Sequence, residues 1–298
     1  MHLLSIIPGA IGDFVLTLPA VAWLQSHLRP DRMELWVARG NLPLARSPGC
    51  ADTAEALPDT GIESYPPGRE CLRRMRSFDR IVSWWGSGNP EFVDRIRAIH
   101  PRIDFLGALP RQSGLHMIEF RRAQLDRIFG STPGFPAAPR IRWTRDEDRF
   151  AERFWAARPG NPGVALHPGA SGPRKRWPAR NFAEVARSLS RDPNCRRLLL
   201  EGPLDGEAVK AVRAGLAGDA VRWETVRIEN LSRLAAVLSR CRLYIGNDSG
   251  ITHLAAALGV RTIALFLDTD PRVWAPRGPR VELLRRPGLE QVLSIIRH

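Results

Sequence analysis

The sequence lacks the cysteine patterns that disulfide frameworks and zinc sites require. Its four cysteines are widely separated, none forms a CxxC pair, and no cysteine or histidine spacing matches a zinc site. We therefore expect reduced thiols, as is usual for proteins of the cytoplasm.

Long apolar runs are missing as well. The first residues read MHLLSII, without a basic segment, and this run ends at Pro8 and Gly9, so it predicts a first β-strand and not a signal peptide. No stretch approaches the roughly 20 apolar residues that a membrane-spanning helix needs. We expect a cytoplasmic protein.

Lysine is nearly absent. Only Lys175 and Lys210 occur among the 44 basic residues, and the formal net charge is +13. Such a charge favours anionic partners, which include phosphorylated ligands, an acidic membrane surface and nucleic acid. The arginines are spread along the chain without a long basic run or tail, so a nucleic-acid partner is disfavoured.

The 298 residues exceed the usual size of one hydrophobic core and predict two α/β domains. Short apolar runs alternate with helical patterns, which indicates parallel sheets joined by right-handed crossovers. In the first half we predict a helix beginning near Asp13, and residues 40–77 give no clear pattern. The other elements predicted there are strands at Leu3–Ile7, Met33–Ala38, Ile81–Trp85 and Ile103–Leu106 and a helix at His116–Phe129.

The second half alternates more regularly. Turn-forming residues at 131–140 precede it, and we expect domains at 1–150 and 151–298, with the last helix free to pack back on the first domain. The elements predicted here are strands at Val164–Leu166, Arg197–Leu200, Val221–Thr225, Arg242–Ile245 and Arg261–Phe266, and helices at Trp143–Ala157, Ala179–Leu189, Gly206–Gly215, Leu231–Ser239, Ile251–Leu258 and Leu289–Ile296.

The turn after the first strand reads PGAIGD and ends at Asp13. Its small residues let a ligand approach the backbone at the carboxyl end of a parallel strand, and a carboxylate there can take a proton from an attacking hydroxyl. The alternative is that Asp13 only caps the helix. With Gly9 and Gly12 alone, the turn does not match the GxGxxG pattern, which disfavours a nicotinamide cofactor.

A second segment, HPGASGPRKRWP at 167–178, follows the first strand of the second half. Its glycines expose backbone N–H groups, and Arg174, Lys175 and Arg176 add positive charge, which together suit a phosphate. The order of residues is not that of a Walker A loop. The alternative is a basic surface loop with Trp177 packed into the core.

A third segment, GNDSGITH at 246–253, again joins a strand to a helix. Ser249 can cap that helix, and Gly250 lets an anion approach its first N–H groups. Asp248 would face the ligand from the edge of the strand, and His253 is either a buried structural residue or part of the site.

The triplet Asp268-Thr269-Asp270 has the form DxD, which in another glycosyltransferase architecture holds a divalent metal through carboxylate oxygens. Three residues recur often by chance, so this motif alone does not predict a metal site. We expect no metal.

Together these segments resemble the heptosyltransferase family, the ADP-heptose:lipopolysaccharide glycosyltransferases. The matching segments, in the family's order, are GAIGDFVLTLPAVAWL at 9–24, HMIE at 116–119, HPGASGPRKRWPARNFAEVA at 167–186, YIGNDSGITHLAAALGVRTIALF at 244–266 and TDPRVWAPRG at 269–278. The resemblance implies the GT-B architecture, in which two Rossmann-like domains face each other across a cleft. It also implies metal-independent transfer with inversion at the anomeric carbon.

The resemblance further implies roles for individual residues. Asp13 would be the general base on the acceptor hydroxyl, and Asp248 would hold hydroxyls of the donor sugar. The residues implied for the donor diphosphate are Lys175, Ser249, Gly250 and Ser171; those implied for the nucleotide are Gly202, Glu207, Ile228 and Leu231; and His253, Gly12 and Arg176 would play secondary parts.

The resemblance implies that the first domain binds the acceptor and the second the nucleotide sugar. The expected donor is a nucleotide sugar such as ADP-heptose, and no separate cofactor is expected. The expected acceptor is a phosphorylated glycolipid or oligosaccharide, which would bring the protein to the cytoplasmic face of the inner membrane.

The chain departs from the family pattern at three places. It has Ile7 where relatives often carry arginine, Pro8 beside it, and Leu267-Asp268 where relatives usually have Gly-Pro. These departures bear on the acceptor and the sugar, so two alternatives remain open: a related transferase that uses another nucleotide sugar, and a non-catalytic protein that binds nucleotide sugars or glycans.

Overall fold

The structure is a computed structural model that describes residues 1–64, 66–110, 114–158, 160–190, 195–219 and 223–297. The chain divides into two compact units, Met1–Arg142 and Trp143–His298. Within the described ranges, no helix is both long enough and apolar enough to cross a lipid bilayer.

The first unit is built on a five-stranded parallel sheet in the order β3-β2-β1-β4-β5. The central strand is fully apolar apart from its first residue and Ser5, and all its residues after His2 are buried, as expected of a parallel sheet covered on both faces. The strands are β1 (His2–Ile7), β2 (Arg32–Val37), β3 (Thr53–Ala56), β4 (Arg80–Ser83) and β5 (Ile103–Phe105).

Helices of the first unit follow its strands. The predicted first helix is present, and its apolar residues, including Leu16, Ala20 and Trp23, are buried. The HMIE segment begins another helix, where the His116 ring accepts a hydrogen bond from the Ile118 N–H at 3.2 Å. The helices are α1 (Ile11–Leu28), α2 (Leu42–Ala45), α3 (Leu57–Thr60), α4 (Arg69–Arg76), α5 (Pro90–Ile99) and α6 (Met117–Phe129).

The structure adds elements that the sequence did not predict. Residues 40–77 contain the edge strand β3 and three short helices, α2, α3 and α4. Helix α5 was also missed, although its signals are in the sequence: the Asn89 side chain caps it and Pro90 is its first residue.

The second unit has a six-stranded parallel sheet in the order β11-β10-β9-β6-β7-β8. Counted from β6, this is the 3-2-1-4-5-6 order of dinucleotide-binding folds. The edge strand β11 was not predicted. Of the strand predicted at Val221–Thr225, residues 221–222 lie outside the described residues. The strands are β6 (Asn161–His167), β7 (Cys195–Leu200), β8 (Glu224–Val226), β9 (Leu243–Asn247), β10 (Arg261–Phe266) and β11 (Val281–Arg285).

Helices of the second unit agree with the predicted positions within one or two residues, apart from the short α12. The first begins with a capping box between Thr144 and Glu147, and a domain boundary at 150 would cut this helix. The last helix packs on α8, with Val292 and Leu293 in the core of the second unit. The helices are α7 (Arg145–Ala156), α8 (Ala179–Leu189), α9 (Gly206–Gly215), α10 (Leu231–Leu238), α11 (Gly250–Ala257), α12 (Pro271–Trp274) and α13 (Leu289–Arg297).

Each sheet reverses its strand order at one place, between β1 and β4 in the first unit and between β6 and β9 in the second. Ligands of open parallel sheets bind outside the carboxyl ends of the strands at such a reversal. The segment that carries Asp13 follows β1, and the segments that carry Lys175 and Asp248 follow β6 and β9. The fold therefore places the chemically interesting segments of each unit at its reversal point.

Candidate functional site

An ion pair lies at the reversal point of the second sheet. Lys175 ends a single 3₁₀ turn after β6, and Asp248 directly follows β9. The lysine Nζ is 2.8 Å from Oδ2 of the aspartate, whose side chain is 7% exposed whereas that of the lysine is 26% exposed. The structure therefore joins two predicted site residues that are distant in the sequence.

Asp248 has further polar neighbours. Thr269 donates its hydroxyl hydrogen to the same Oδ2, and the His253 Nε2 lies 3.8 Å from Oδ1. Burial alone would raise the pKa of the Asp248 carboxyl, but the interactions with His253, Lys175 and Thr269 outweigh it and lower that pKa to about 2. The carboxylate therefore stays ionised throughout the physiological pH range.

His253 is buried with 4% of its surface exposed. One ring nitrogen faces Asp248, whereas Nδ1 has no hydrogen-bond partner among the residues that the structure describes. His253 is thus buried beside Asp248, which agrees with both interpretations of this residue, and one of its ring nitrogens makes no hydrogen bond in the described part of the chain.

The N-terminus of α11 lies next to the ion pair. Ser249 is the N-cap as predicted, and its side-chain oxygen accepts a hydrogen bond from the Thr252 N–H. The N–H groups of Gly250 and Ile251 belong to the first turn and have no acceptor within the helix. Helix N-termini carry a partial positive charge, so this end of α11 and the Lys175 ammonium present positive charge to one place.

Asn247 connects the two segments. It is fully buried at the end of β9; its side-chain oxygen accepts from the Trp177 N–H at 2.9 Å, and its side-chain nitrogen donates to the Pro168 carbonyl at 2.8 Å. Trp177 is itself buried, as the surface-loop interpretation of that segment expected. Asn247 could not be predicted from the sequence, because its role depends on β6 and β9 being neighbours.

A second missed feature is a row of hydrogen bonds through His167, the last residue of β6. Its Nδ1 is 3.1 Å from the Ser249 Oγ, and its Nε2 is 2.9 Å from Oδ2 of Asp205. The same Asp205 oxygen accepts from the Gly202 N–H at 2.9 Å. The only sequence signal was the position of His167 at the head of the HPGASG segment.

The remaining residues predicted for the donor are more dispersed. Ser171 is exposed in the loop after β6, and Arg176 is half-buried and lines a cavity of about 260 Å³ together with Glu207. Ile228 is half-buried before α10, and Leu231 is the buried first residue of that helix. The described contacts do not join Ile228 or Leu231 to the Lys175 ion pair.

Asp13 lies in the first turn of α1, half-buried. Its Oδ2 accepts a hydrogen bond from the Ala10 N–H at 2.9 Å, so it does stabilise the start of the helix. Gly9 before it has a φ of 100°, and a Cβ there would come within 2.9 Å of the Asp13 carboxylate. Gly9 therefore permits both the turn and the approach of that carboxylate. Gly12, directly before Asp13, lies in the first turn of α1.

The two carboxylates of the DxD triplet have arginine partners. Asp268 lies 3.3 Å from Arg174, and Asp270 caps α12 and pairs with Arg272 at 2.8 Å. In the part of the chain that the structure describes, no group of three histidine, cysteine, aspartate or glutamate side chains could hold a metal ion.

Comparison with known sequences identifies the family. Residues 109–292, more than half of the chain, match the sequence model of glycosyltransferase family 9 (heptosyltransferase). The chain therefore belongs to glycosyltransferase family 9, as the resemblance of its motifs predicted. It is 27% identical over 150 residues to lipopolysaccharide heptosyltransferase 2 of Escherichia coli (strain K12), and this alignment covers 49% of the chain but only 43% of that protein.

Solved structures show the same fold over nearly the whole chain. The glycosyl transferase family 9 structure from Veillonella parvula DSM 2008 has a TM-score of 0.81 at 19% identity and covers 99% of this chain and 90% of that one. The structure of E. coli ADP-heptose lps heptosyltransferase II has a TM-score of 0.77 at 20% identity and covers 100% and 98%. These likenesses confirm the predicted fold class, two Rossmann-like parallel-sheet domains of the GT-B type.

The lowered pKa of Asp248 predicts a pH-dependent contribution to stability. A carboxyl whose pKa is depressed on folding contributes stability that is fully present above its unfolded pKa of about 4 and is lost as the pH falls through the folded value of about 2. Asp248→Asn should therefore be less stable than the wild type at pH 7 and at pH 5 by the same amount, and this difference should shrink below pH 4. Urea unfolding at these pH values measures it.

The matched control is Asp268→Asn. Its pair with Arg174 is at the surface, where that arginine is 84% exposed, so its loss should change stability little at any pH. A deficit of Asp248→Asn that stays constant from pH 7 to pH 3 would contradict the assignment.

Proposed function

We propose that this protein transfers a sugar, heptose, from ADP-heptose to a hydroxyl of a lipopolysaccharide-type acceptor. Membership of a heptosyltransferase family supports the reaction class, and the structurally similar E. coli protein is described as an ADP-heptose lps heptosyltransferase. The observation that carries the proposal is the group formed by Lys175, Asp248 and the N-terminus of α11 at the reversal of the second sheet.

The second unit is the proposed donor domain. The diphosphate would lie against the N–H groups of Gly250 and Ile251, with the Lys175 ammonium on it. In this arrangement Lys175 exchanges its carboxylate partner for a phosphate oxygen, and Asp248 is left to accept hydrogen bonds from hydroxyls of the sugar. Ser171 and Arg176 lie in the same segment as Lys175 and would make secondary contacts, as would His253 beside Asp248.

The nucleoside is assigned to the loops after β7 and β8. Gly202 and Glu207 flank the start of α9, and Ile228 and Leu231 flank the start of α10. These loops follow neighbouring parallel strands, so they lie along the same edge of the sheet as the residues proposed for the diphosphate.

The proposed chemical step is an inverting displacement. The acceptor oxygen forms a bond to the anomeric carbon while the bond from that carbon to the diphosphate oxygen breaks, and ADP leaves with the electron pair. Positive groups placed where negative charge develops stabilise the leaving diphosphate, which is the part assigned to Lys175 and the helix N-terminus. The Asp13 carboxylate, with Gly12 beside it, takes the proton of the acceptor hydroxyl. With these charges supplied by the protein, the step uses no metal.

The first unit is the proposed acceptor domain. The net charge of the whole chain, +13, suits a phosphorylated glycolipid or oligosaccharide and a peripheral contact with the anionic, cytoplasmic face of the inner membrane. The cytoplasm is accordingly the proposed location of the protein.

A panel of nucleotides tests the proposed donor. A ligand that binds only the native state raises its apparent stability, so ADP and ADP-heptose should raise the melting temperature in a buffer that contains EDTA. UDP, GDP and their sugars should raise it less. A larger shift with UDP or GDP would move the proposal to another nucleotide sugar, and binding of ADP-heptose without transfer to any glycan acceptor would favour a non-catalytic binding protein.

Replacement of Lys175 tests the diphosphate site. Lys175→Ala removes the cation and leaves the Asp248 carboxylate without its partner, so we expect the Kd for ADP to rise at least about 10-fold, or about 1.4 kcal/mol. Calorimetric titration measures it. The chain offers a matched control in its one other lysine, since Lys210 is exposed on α9 and Lys210→Ala should bind ADP as the wild type does. Equal affinities in all three proteins would remove the diphosphate site from the proposal.

Replacement of Asp13 tests the general base. Asp13→Asn can still accept the hydrogen bond from Ala10 but cannot take a proton, so the transfer rate should fall by about 100-fold or more while ADP binding and the melting temperature stay unchanged. A variant that transfers at the wild-type rate would exclude this role.

A further inference from the structure

We propose that His167 is a positioning residue of the donor site, which holds the diphosphate-binding turn at Ser249 in register with the nucleoside-binding loop at Gly202. This inference rests on the proposed function, because it assigns to His167 an effect on nucleotide binding. Neither the sequence motifs nor the family resemblance gave a role to His167 or to its partner Asp205.

The geometry joins the ends of three adjacent strands. His167 ends β6, the strand that lies between β9 and β7 in the sheet. From this central position its ring reaches Ser249, after β9, at 3.1 Å and Asp205, after β7, at 2.9 Å. Asp205 in turn accepts the Gly202 N–H at 2.9 Å, so one continuous row of hydrogen bonds connects the two loops.

The chemistry of Asp205 fixes the direction of its hydrogen bond with His167. An ionised carboxylate only accepts, so the ring nitrogen that faces Asp205 carries the hydrogen. On its other side the ring places Nδ1 3.1 Å from the Ser249 Oγ, which also lies 3.2 Å from the Thr252 Oγ1 and accepts a hydrogen bond from the Thr252 N–H. The Ser249 side chain is thus held between His167 and Thr252, and the N–H groups of Gly250 and Ile251 are the groups left for the diphosphate.

Asp205 is held just as closely. A Cβ at Gly169 would come within 1.9 Å of one of its carboxylate oxygens, and a Cβ at Gly202 within 2.7 Å of the other, so two glycines make room for this carboxylate. Burial would raise the pKa of Asp205, but the hydrogen bonds from His167 and Gly202 and the charge of Arg176 outweigh it and lower the pKa. The acceptor end of the row is therefore ionised and fixed in place.

A ligand such as ADP would touch both loops at once. If the loops were not fixed relative to each other, binding would have to order them and would lose affinity by that amount. Because His167 is 3% exposed, its hydrogen bonds operate in a low-dielectric environment, where a satisfied network rigidifies its surroundings. His167 therefore acts on the nucleotide through Ser249 and Asp205 and does not itself need to touch it.

The test is a double-mutant cycle on ADP affinity. His167→Gln keeps a donor for Asp205 but gives up the contact with Ser249, and we expect the Kd for ADP to rise about 10-fold. Ser249→Ala should also weaken ADP binding. Adding His167→Gln to Ser249→Ala should raise the Kd by less than about a further 3-fold, because the effects of residues in one hydrogen-bond network are not additive. Calorimetric titration of ADP measures all four proteins.

The control is His100→Gln, a substitution of an equally buried histidine in the first unit, whose Nε2 lies 2.8 Å from the Phe78 carbonyl oxygen. It should lower the melting temperature and leave ADP affinity unchanged. If His167→Gln does not fold, Asp205→Asn weakens the same row at its acceptor end, because a neutral amide oxygen accepts less strongly than a carboxylate, and it should also weaken ADP binding.

The outcomes separate the two proposals. A wild type that does not bind ADP would overturn the proposed function and this inference with it. A wild type that binds ADP, with His167→Gln or Asp205→Asn binding equally well or with losses that add fully in the Ser249→Ala background, would overturn only the role of His167.

Discussion

The pairing of β6 with β9 is the constraint on which the site depends. These strands are hydrogen-bonded neighbours in the sheet, with His167 opposite Gly246, although a long stretch of chain separates them. Their pairing brings the basic segment after β6 to the helix start after β9, and Asn247 fixes that approach through the Trp177 N–H and the Pro168 carbonyl. Without this pairing the two segments would be unrelated loops.

The charges at that junction are balanced within the protein. The Lys175 ammonium and the N-terminus of α11 are both positive and lie close together. The Asp248 carboxylate, 2.8 Å from the ammonium, offsets their charge. Desolvation takes much of the benefit of such a partly buried pair, so its contribution to stability is a weak explanation for its presence. The proposed diphosphate site would account for it, because there the lysine exchanges its carboxylate partner for a phosphate.

The sequence predicted those parts of the fold that have a local signal. Buried parallel strands are near-continuous apolar runs, so β1, β6 and β10 could be predicted directly, and Ser249 indicated the start of α11. Residues 40–77 could not be parsed, because helices of four residues and the short edge strand β3 are stabilised by tertiary packing and have too few residues for a periodic pattern. The motifs likewise gave Lys175 and Asp248 but not their ion pair.

The row of hydrogen bonds through His167 could not be predicted from the sequence for the same reason. Its members lie at or just after the ends of three different strands, and only the order of strands in the sheet makes them neighbours. A histidine and an aspartate far apart in a sequence carry no mutual signal without a sheet register. Hydrogen-bond networks between distant segments are therefore found from the structure, whereas single motif residues are found from the sequence.

The most direct measurement of the central claim is a crystal structure of the protein with ADP bound. The account predicts that the diphosphate lies at the N-terminus of α11, within hydrogen-bond distance of the Gly250 N–H, and that the Lys175 Nζ has left Asp248 for a phosphate oxygen. ADP bound elsewhere on the second unit, with the pair of Lys175 and Asp248 intact, would contradict it.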